Sequence, residues 1–500
     1  YFQGGVIYNH EADTAGYTFK KIWMRLAQTE TYDFDDSGAN GIGQTTTYAY
    51  DTDHLQLTEM ARTDSPANQT AITRYTYPLD YSVPAIALDD ASQAIKDMQD
   101  NHVVSTVVEQ QYLTKYGSQE KTDAAWLTHF DPVTALARRV FSFSSDQGET
   151  SWTTAGINGS GVFTKDSRYR HDVTYDLYDA YGNPQQITPA SGVVESVLWG
   201  YDGKLPIVRA VGVPYSVFTT VNAAAASLSG ASAIETYSGQ VKSYLSSNGI
   251  VGQVYTYLHE PLQGIQKVIA PNGLRTSFGY DGFQRLRWVK DHDDHYLSRY
   301  LYHYAASPGD KNQVRVSKLR VSTANESDAD DAAKAEITYQ YMDGLGRSVQ
   351  TVGYRRSPLQ KDILMQHLVY DRFGRTVTQL LPASASTATG EFQSGGLGLA
   401  QSFYGDMAPL NESTAFDQSP LNRLREQYGP GNAWRTASKK IQTFDESAGS
   451  DVRLYTLDGS DNIVLSGTFP ANGLYNKRTV DEQGNTSIEI SDKRGRLVQK

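Results

Sequence analysis

The chain contains no cysteine. That absence removes disulfides, thiolate metal sites and cysteine nucleophiles together. It also has no apolar run near the roughly 18 residues a membrane helix needs, and its mean hydropathy is −0.50. Basic runs are missing too. With 56 acidic against 45 basic residues the net charge is −11, which disfavours a phosphate backbone as partner. Gly-x-Ser-x-Gly, Gly-x-Gly-x-x-Gly and the lysine-bearing phosphate loop do not occur, and Gly159-Ser-Gly161 and Gly396-Leu-Gly398 are too short to stand for them.

The two ends carry their own message. Tyr1-Phe2-Gln3-Gly4 reads as the remnant of a cleavable tag, so residues 1–5 are set aside and the natural sequence is taken from about Val6. The last residues, 495–500, alternate like a strand with no closing turn, which predicts that the parent protein continues beyond Lys500.

What is abundant is tyrosine and glycine, 34 and 42 residues respectively, with only 16 Phe. Together they suggest many strands and many tight turns. A repeat organises them. Asp-x-x-Gly followed by Arg or Asn occurs at Asp179, Asp343, Asp371, Asp481 and Asp492, with a degenerate copy at Asp281-Gly-Phe-Gln-Arg285. Alternating runs flank each copy, such as Ile337-Thr-Tyr-Gln-Tyr341 before and Val349-Gln-Thr-Val352 after. The pattern is strand, turn, strand. The Asp carboxylate is suited to accept backbone N–H groups two or three residues on, and the Gly supplies a positive φ. The aromatic at the strand end is placed to lie across the neighbouring hairpin. A calcium loop is not expected, because the extra carboxylates of an oxygen cage are missing.

These residues carry a resemblance. Tyr370-Asp-Arg-Phe-Gly-Arg375 resembles the YD repeat of bacterial RHS proteins, of the cocoon components of Tc insecticidal toxins and of animal teneurins. The segments Asp343-Gly-Leu-Gly-Arg347, Ser419-Pro-Leu-Asn-Arg423, Gly429-Pro-Gly-Asn-Ala-Trp434 and Val452-Arg-Leu-Tyr455 are similar to a region upstream of the RHS core in very large Bacteroidota proteins. So are His54-Leu-Gln-Leu57 and Tyr75-Thr-Tyr-Pro-Leu-Asp-Tyr81. The resemblance implies a mainly β fold, in which YD hairpins form a continuous spiralling antiparallel sheet, a portion of a β-shell, often around a C-terminal toxin. The self-cleaving core that usually precedes the toxin is absent from this sequence.

Helices are expected as inserts in the β framework. Leu88, Ala91, Ile95 and Met98 mark one from about 84 to 101. A second begins near Ser216 and runs through Ala226. A third has Ser232 and Glu235 as a capping box, an apolar face of Ile234, Tyr237, Val241 and Tyr244, and a stop at Asn248-Gly249. Residues 155–161, 322–335 and 383–398 read as loops. The chain divides near 330, giving 6–330 as a β-rich region with YD-like repeats and helical inserts and 331–500 as the YD-repeat region upstream of the RHS core.

Candidates for chemistry are few. Asp291-His-Asp-Asp-His295 has the donors for a divalent ion but joins two alternating runs, so it reads as a turn. His259-Glu260 has no second histidine four residues on, and Pro261 follows. Trp199, Trp288 and Trp434 are either sugar platforms or core, and core is the expectation. No residue is assigned a catalytic, cofactor or metal role. The resulting expectation is a non-enzymatic shell or scaffold segment of a secreted or cell-surface RHS-type, toxin-related protein. Its partner would be the rest of its own polypeptide, with no nucleic acid and no membrane span. The alternative is a cell-surface adhesion or carbohydrate-binding module.

Overall fold

The structure, a computed structural model, describes residues 2–3, 7–11, 18–22, 24–35, 38–65, 69–307, 309–417, 421–457 and 462–500. Side chains are described from Met24 onward, except that of Leu457. Tyr1, Gly4, Gly5 and Val6 of the expected tag boundary lie outside this set, as do Ser419 and Pro420 of one family-like segment. Phe2–Gln3 pairs with Arg25–Leu26.

Hydrogen bonding joins 28 strands into one antiparallel sheet, and the chain is mainly β, as the alternating sequence pattern requires. Successive strands are neighbours almost throughout, because short turns leave each strand nowhere else to pair. Among the described residues Gln28–Asp33 pairs only with Ile42–Tyr50, and Leu497–Gln499 only with Thr486–Ser491. Among the described residues, therefore, no backbone ladder closes the sheet on itself. The hairpin of Arg453–Leu457 with Ile463–Thr468 stands apart from it.

All the inserts cover one face. Residues directly opposite in adjacent strands share a face, so the registers trace it across the sheet. Helix α1 (Asp90–Asp100) packs Ile95 and Met98 onto Ala125 and Leu127. Helix α2 (Ser216–Val221) and helix α3 (Ala231–Ser247) pack onto Leu198, Val208 and Leu258. The same row continues through Lys267, Ser277 and, by register, to Trp288, Arg299, Ser317 and Ile337. There the short helical turn Glu326–Asp330 covers it, and beyond lies helix α4 (Gly396–Tyr404) with Leu364, Leu380 and Leu399. Each fully buried aliphatic side chain contributes about 1.5–3 kcal/mol, so the inserts hold themselves down on an otherwise half-wet sheet.

Four expectations are corrected. α1 starts at Asp90, because Asp89 caps it by accepting the Ser92 N–H at 2.8 Å, which leaves Leu88 outside the helix. The second insert breaks at Asn222 and resumes as a single turn at Ala225–Ser227. In α3 the cap is Gly230 without a side-chain bond, so Ser232 lies inside the helix, and Glu235 instead accepts from Lys267 Nζ at 2.7 Å. The expected loop 383–398 ends in α4, and helix α5 (Asn432–Thr436) follows further on. Gly396 is present for close approach, since a Cβ there would stand 2.2 Å from His367 Nδ1. Glycine read as loop composition is here a packing residue.

Segments 155–161 and 322–335 are also more ordered than loop composition suggests. Gly156–Ile157 pairs with Phe163–Thr164. Residues 326–330 are clamped by Arg287, Arg299 and Arg315, with Ala329 fully buried.

Candidate functional site: the repeat turns and the coil seam

One turn recurs with the same atoms. In Asp371-Arg-Phe-Gly374-Arg375 the Asp371 N–H donates to Arg375 O at 2.9 Å and Gly374 N–H donates to Asp371 O at 3.0 Å. Asp371 Oδ1 accepts the N–H groups of Phe373 and Arg375, and Oδ2 accepts Arg375 Nε at 2.7 Å. Gly374 has φ +83°. The same bonds form at Asp343, Asp492 and the degenerate Asp281, and an Asn side chain replaces the Arg at Asp179 and Asp481. Asp291 makes both backbone bonds as well, with His295 in the Arg position. The carboxylate thus serves amides two and four residues on, not two and three. A looser version closes at Asp417 with Arg423.

Arg and Asn at the fifth position were missed as working residues, although their recurrence after the glycine was a visible signal. The Arg has a second role. Arg285 lies over the ring of Tyr302 at 4.0 Å, Arg347 over Tyr370 at 4.4 Å and Arg375 over Phe416 at 4.3 Å. Each arginine therefore stacks on an aromatic of the following hairpin rather than two aromatics meeting. The tyrosine hydroxyl returns the contact: Tyr370 donates to Ser348 O at 2.7 Å, Tyr302 to Leu286 O at 3.0 Å and Tyr280 to Ile265 O at 2.9 Å. Turn, stack and hydroxyl bond together lock one hairpin to the next.

These bonds also set the charge of the turns. Asp281 is held below the ordinary carboxylate range first by the Arg285 side chain, and Asp481 first by that of Asn485. At Asp343 and Asp371 partial desolvation pushes upward, yet the combined Arg hydrogen bonds prevail and the net direction is down.

The two ends of the sheet meet at a seam. Arg423 Nη2 donates to Phe34 O at 3.4 Å across 389 residues, and Tyr475 OH donates to Asp33 Oδ2 at 2.7 Å across 442 residues. Ser65 Oγ donates to Gly473 O, and Asp64, 1% exposed, pairs with Arg494. Arg496, from the same last turn, approaches Asp64 at 3.7 Å. A cleft of about 910 Å³ lies along this seam between Tyr32, Phe34, Phe416 and Phe444.

The residues weighed for chemistry fall as follows. Asp291, Asp293 and His295 lie close together, but Asp291 Oδ1 is spent on two amides and His295 Nδ1 bonds Ser322 Oγ at 2.6 Å. A second group, Asp51, His54 and Asp80, was not foreseen as one. His54 Nδ1 accepts the Gln56 N–H, so Nε2 carries the proton and donates to Asp80 at 3.1 Å. That tautomer has no lone pair to offer a metal at Nε2. It does join the two family-like segments around His54 and Tyr75–Tyr81, which were separate in sequence. His259 sits in a strand and bonds Pro206 O at 2.8 Å. Trp199 and Trp288 are half-buried in strands, the first donating to Pro184 O, while Trp434 on α5 is 41% exposed.

Among known families, residues 315–447 match one described as a domain of unknown function, DUF6443. No curated protein matches the chain. Solved structures that resemble it include TcdB2-TccC3 with Cdc42, at 13% identity and TM-score 0.41, and TcdB2-TccC3, at 12% and 0.41. A Photorhabdus luminescens Tc holotoxin pore resembles it at 13% and 0.41. Each match covers 90% of this chain and 20–21% of the other, so this chain spans about a fifth of those chains' length.

Proposed function

We propose that this chain is a wall segment of a β-shell in a secreted, RHS-type, toxin-related protein, enclosing or presenting a C-terminal effector without itself catalysing a reaction. The observation that carries the reading is the seam: a single sheet returns after roughly four hundred residues and lays its last turns against its first ones. A sheet that coils back on itself bounds a space, and hairpins locked turn to stack make a wall that tolerates great length. Its partner is then the remainder of the same polypeptide, and the stretches 6–330 and 331–500 belong to a single wall. Solution scattering with single-particle imaging tests this. A curved wall around a solvent-filled lumen is expected, and a flat or filled particle would overturn it.

A second reading, a carbohydrate-binding or adhesive surface, draws on the uncovered face. Tyr112 and Trp126 are 39% and 45% exposed there, edge to face at 5.0 Å, with Gln110 Nε2 donating to the Tyr112 hydroxyl. Flat aromatic surface beside an amide suits a pyranose ring. Glycan-array binding that disappears in Trp126→Ala would favour it.

A further inference from the structure

We infer that the seam is the line along which the wall opens, and that Asp64 is its latch. The inference rests on the shell reading for its purpose, but not for its geometry.

Everywhere else in the sheet, neighbours are joined by backbone ladders. Val314 and its flanking residues pair with Gln340 and its own over eight consecutive positions, and Asn476 and its neighbours pair with Ile490 and its own over six. Among the described residues no backbone-to-backbone bond crosses the seam. What crosses it is side chains: Asp64 with Arg494 and Arg496, Ser65 with Gly473, Asp33 with Tyr475 and Arg423 with Phe34. A ladder must be broken cooperatively, whereas side-chain contacts can be released singly. The seam is therefore the least costly boundary in the sheet.

Asp64 dominates it because its carboxylate is shut away from water. Its Oδ1 accepts the Ser65 N–H at 2.9 Å, and its Oδ2 faces Arg494. Lys493 lies near enough for Asp64 to act on its charge. The latch thus reads two things at once: the turn between Leu57–Thr63 and Gln69–Thr76 on one coil, and the Asp492 turn on the other. Removing one partner of a buried ion pair strands the other charge, so the coupling is strong in the closed state. Once the coils separate, both charges meet water and little remains to hold them. A wall built this way opens without unravelling a strand, which suits release of a content.

Hydrogen exchange read by mass spectrometry on the whole chain tests the inference. In Asp64→Ala, amides at 62–65, 69–70 and 471–476 should exchange roughly a hundredfold faster, while Asn312–Leu319 and Ala335–Met342 keep their native rates. Unchanged exchange at the seam, or equal acceleration throughout the sheet, would overturn it. Should Asp64→Ala not fold, Tyr475→Phe is read in its place. It removes only the hydroxyl bond to Asp33, and acceleration confined to 31–35 and 471–476 supports the latch line, while none or a uniform one overturns it. Failure of the shell reading is separable, because scattering reports the lumen and exchange reports the seam.

Discussion

Arg347 lies 4.4 Å from the ring centre of Tyr370 while its Nε holds Asp343 Oδ2 at 2.7 Å, so one guanidinium closes its own turn and clamps the next hairpin. A double-mutant cycle of Arg347→Ala and Tyr370→Ala isolates the clamp from the turn. A coupling of about 0.5–1 kcal/mol is expected in urea melts, and Arg375 with Phe416 should give a similar value. Purely additive effects at both pairs would show that the stacks contribute nothing.

The turn glycines should behave as conformational residues. Gly346 has φ +79° and open space where a Cβ would go, so Gly346→Ala should cost about 1 kcal/mol from strain alone. Gly374→Ala should cost at least as much, because Arg347 Nη1 lies 3.0 Å from the added atom. At the degenerate copy the sign reverses: Gln284 already sits at φ +64°, so Gln284→Gly should stabilise. Denaturation midpoints moving the same way in all three variants would contradict this.

Acid should loosen the repeats together. Asp281, Asp343, Asp371 and Asp481 are all held below their ordinary value of 3.8. A lowered folded value means the stabilisation is present above pH 3.8 and is lost as pH falls through the folded values. Melting temperature should drop below about pH 4, and less so when the four aspartates are changed to asparagine, which keeps one acceptor oxygen. An equal drop in wild type and variant would place the acid sensitivity elsewhere.

His129 gives a second window. Its ring lies between Phe141 and Phe163, and burial, aided by Lys165 and Arg139, takes it from 6.5 to about 4. With the folded value depressed, the unfolded chain takes up the proton first. Stability therefore falls between about pH 6.5 and pH 4, by at most about 3 kcal/mol. Among the described residues its Nε2 has no hydrogen-bond partner. His129→Phe should fold and flatten the melting-temperature profile across that window; an unchanged profile would remove His129 as its source.

Glu109 titrates with the opposite sign. It is fully buried, accepting from Ala155 N–H and Tyr169 OH, and burial raises it above the usual carboxylate range despite those bonds. A raised folded value means stability is lost as pH rises through it. Glu109→Gln should therefore gain on the wild type as pH rises above the ordinary carboxylate value of 4.5, as read by thermal melts. A constant difference between the two proteins across that range would sink the assignment.

The repeat was legible because Asp, Gly and the strand alternation act over five to ten residues, and local chemistry leaves local patterns. The mainly β sheet and the approximate positions of α1, α2 and α3 followed from the same kind of signal. The role of Arg347 was not legible, since half of it depends on Tyr370, 23 positions later. Asp89 displaced the start of α1 because a cap two residues from Ala91 outranked the apolar spacing that included Leu88. α4 was hidden by its glycines, one of which, Gly396, is there to let His367 approach. The seam left no trace at all: Asp64 in Thr63-Asp-Ser65 is an ordinary turn residue until Arg494 arrives from the far end of the chain.

The meeting of Asp64 with the Asp492 turn also works as a gauge of circumference. Each hairpin adds a fixed increment to the path around the coil, and the latch engages only when the increments bring the turn carrying Arg494 opposite Asp64. Deleting the hairpin of Ile363–Tyr370 and Thr376–Leu380 would take the ring from under Arg347 but leave the hydrogen bonds of the remaining Asp turns in place, and it would present a different turn to Asp64. Length along the ribbon is therefore counted by a single buried charge, and a variant with one repeat more or fewer would be rejected at the latch and not in the repeats themselves.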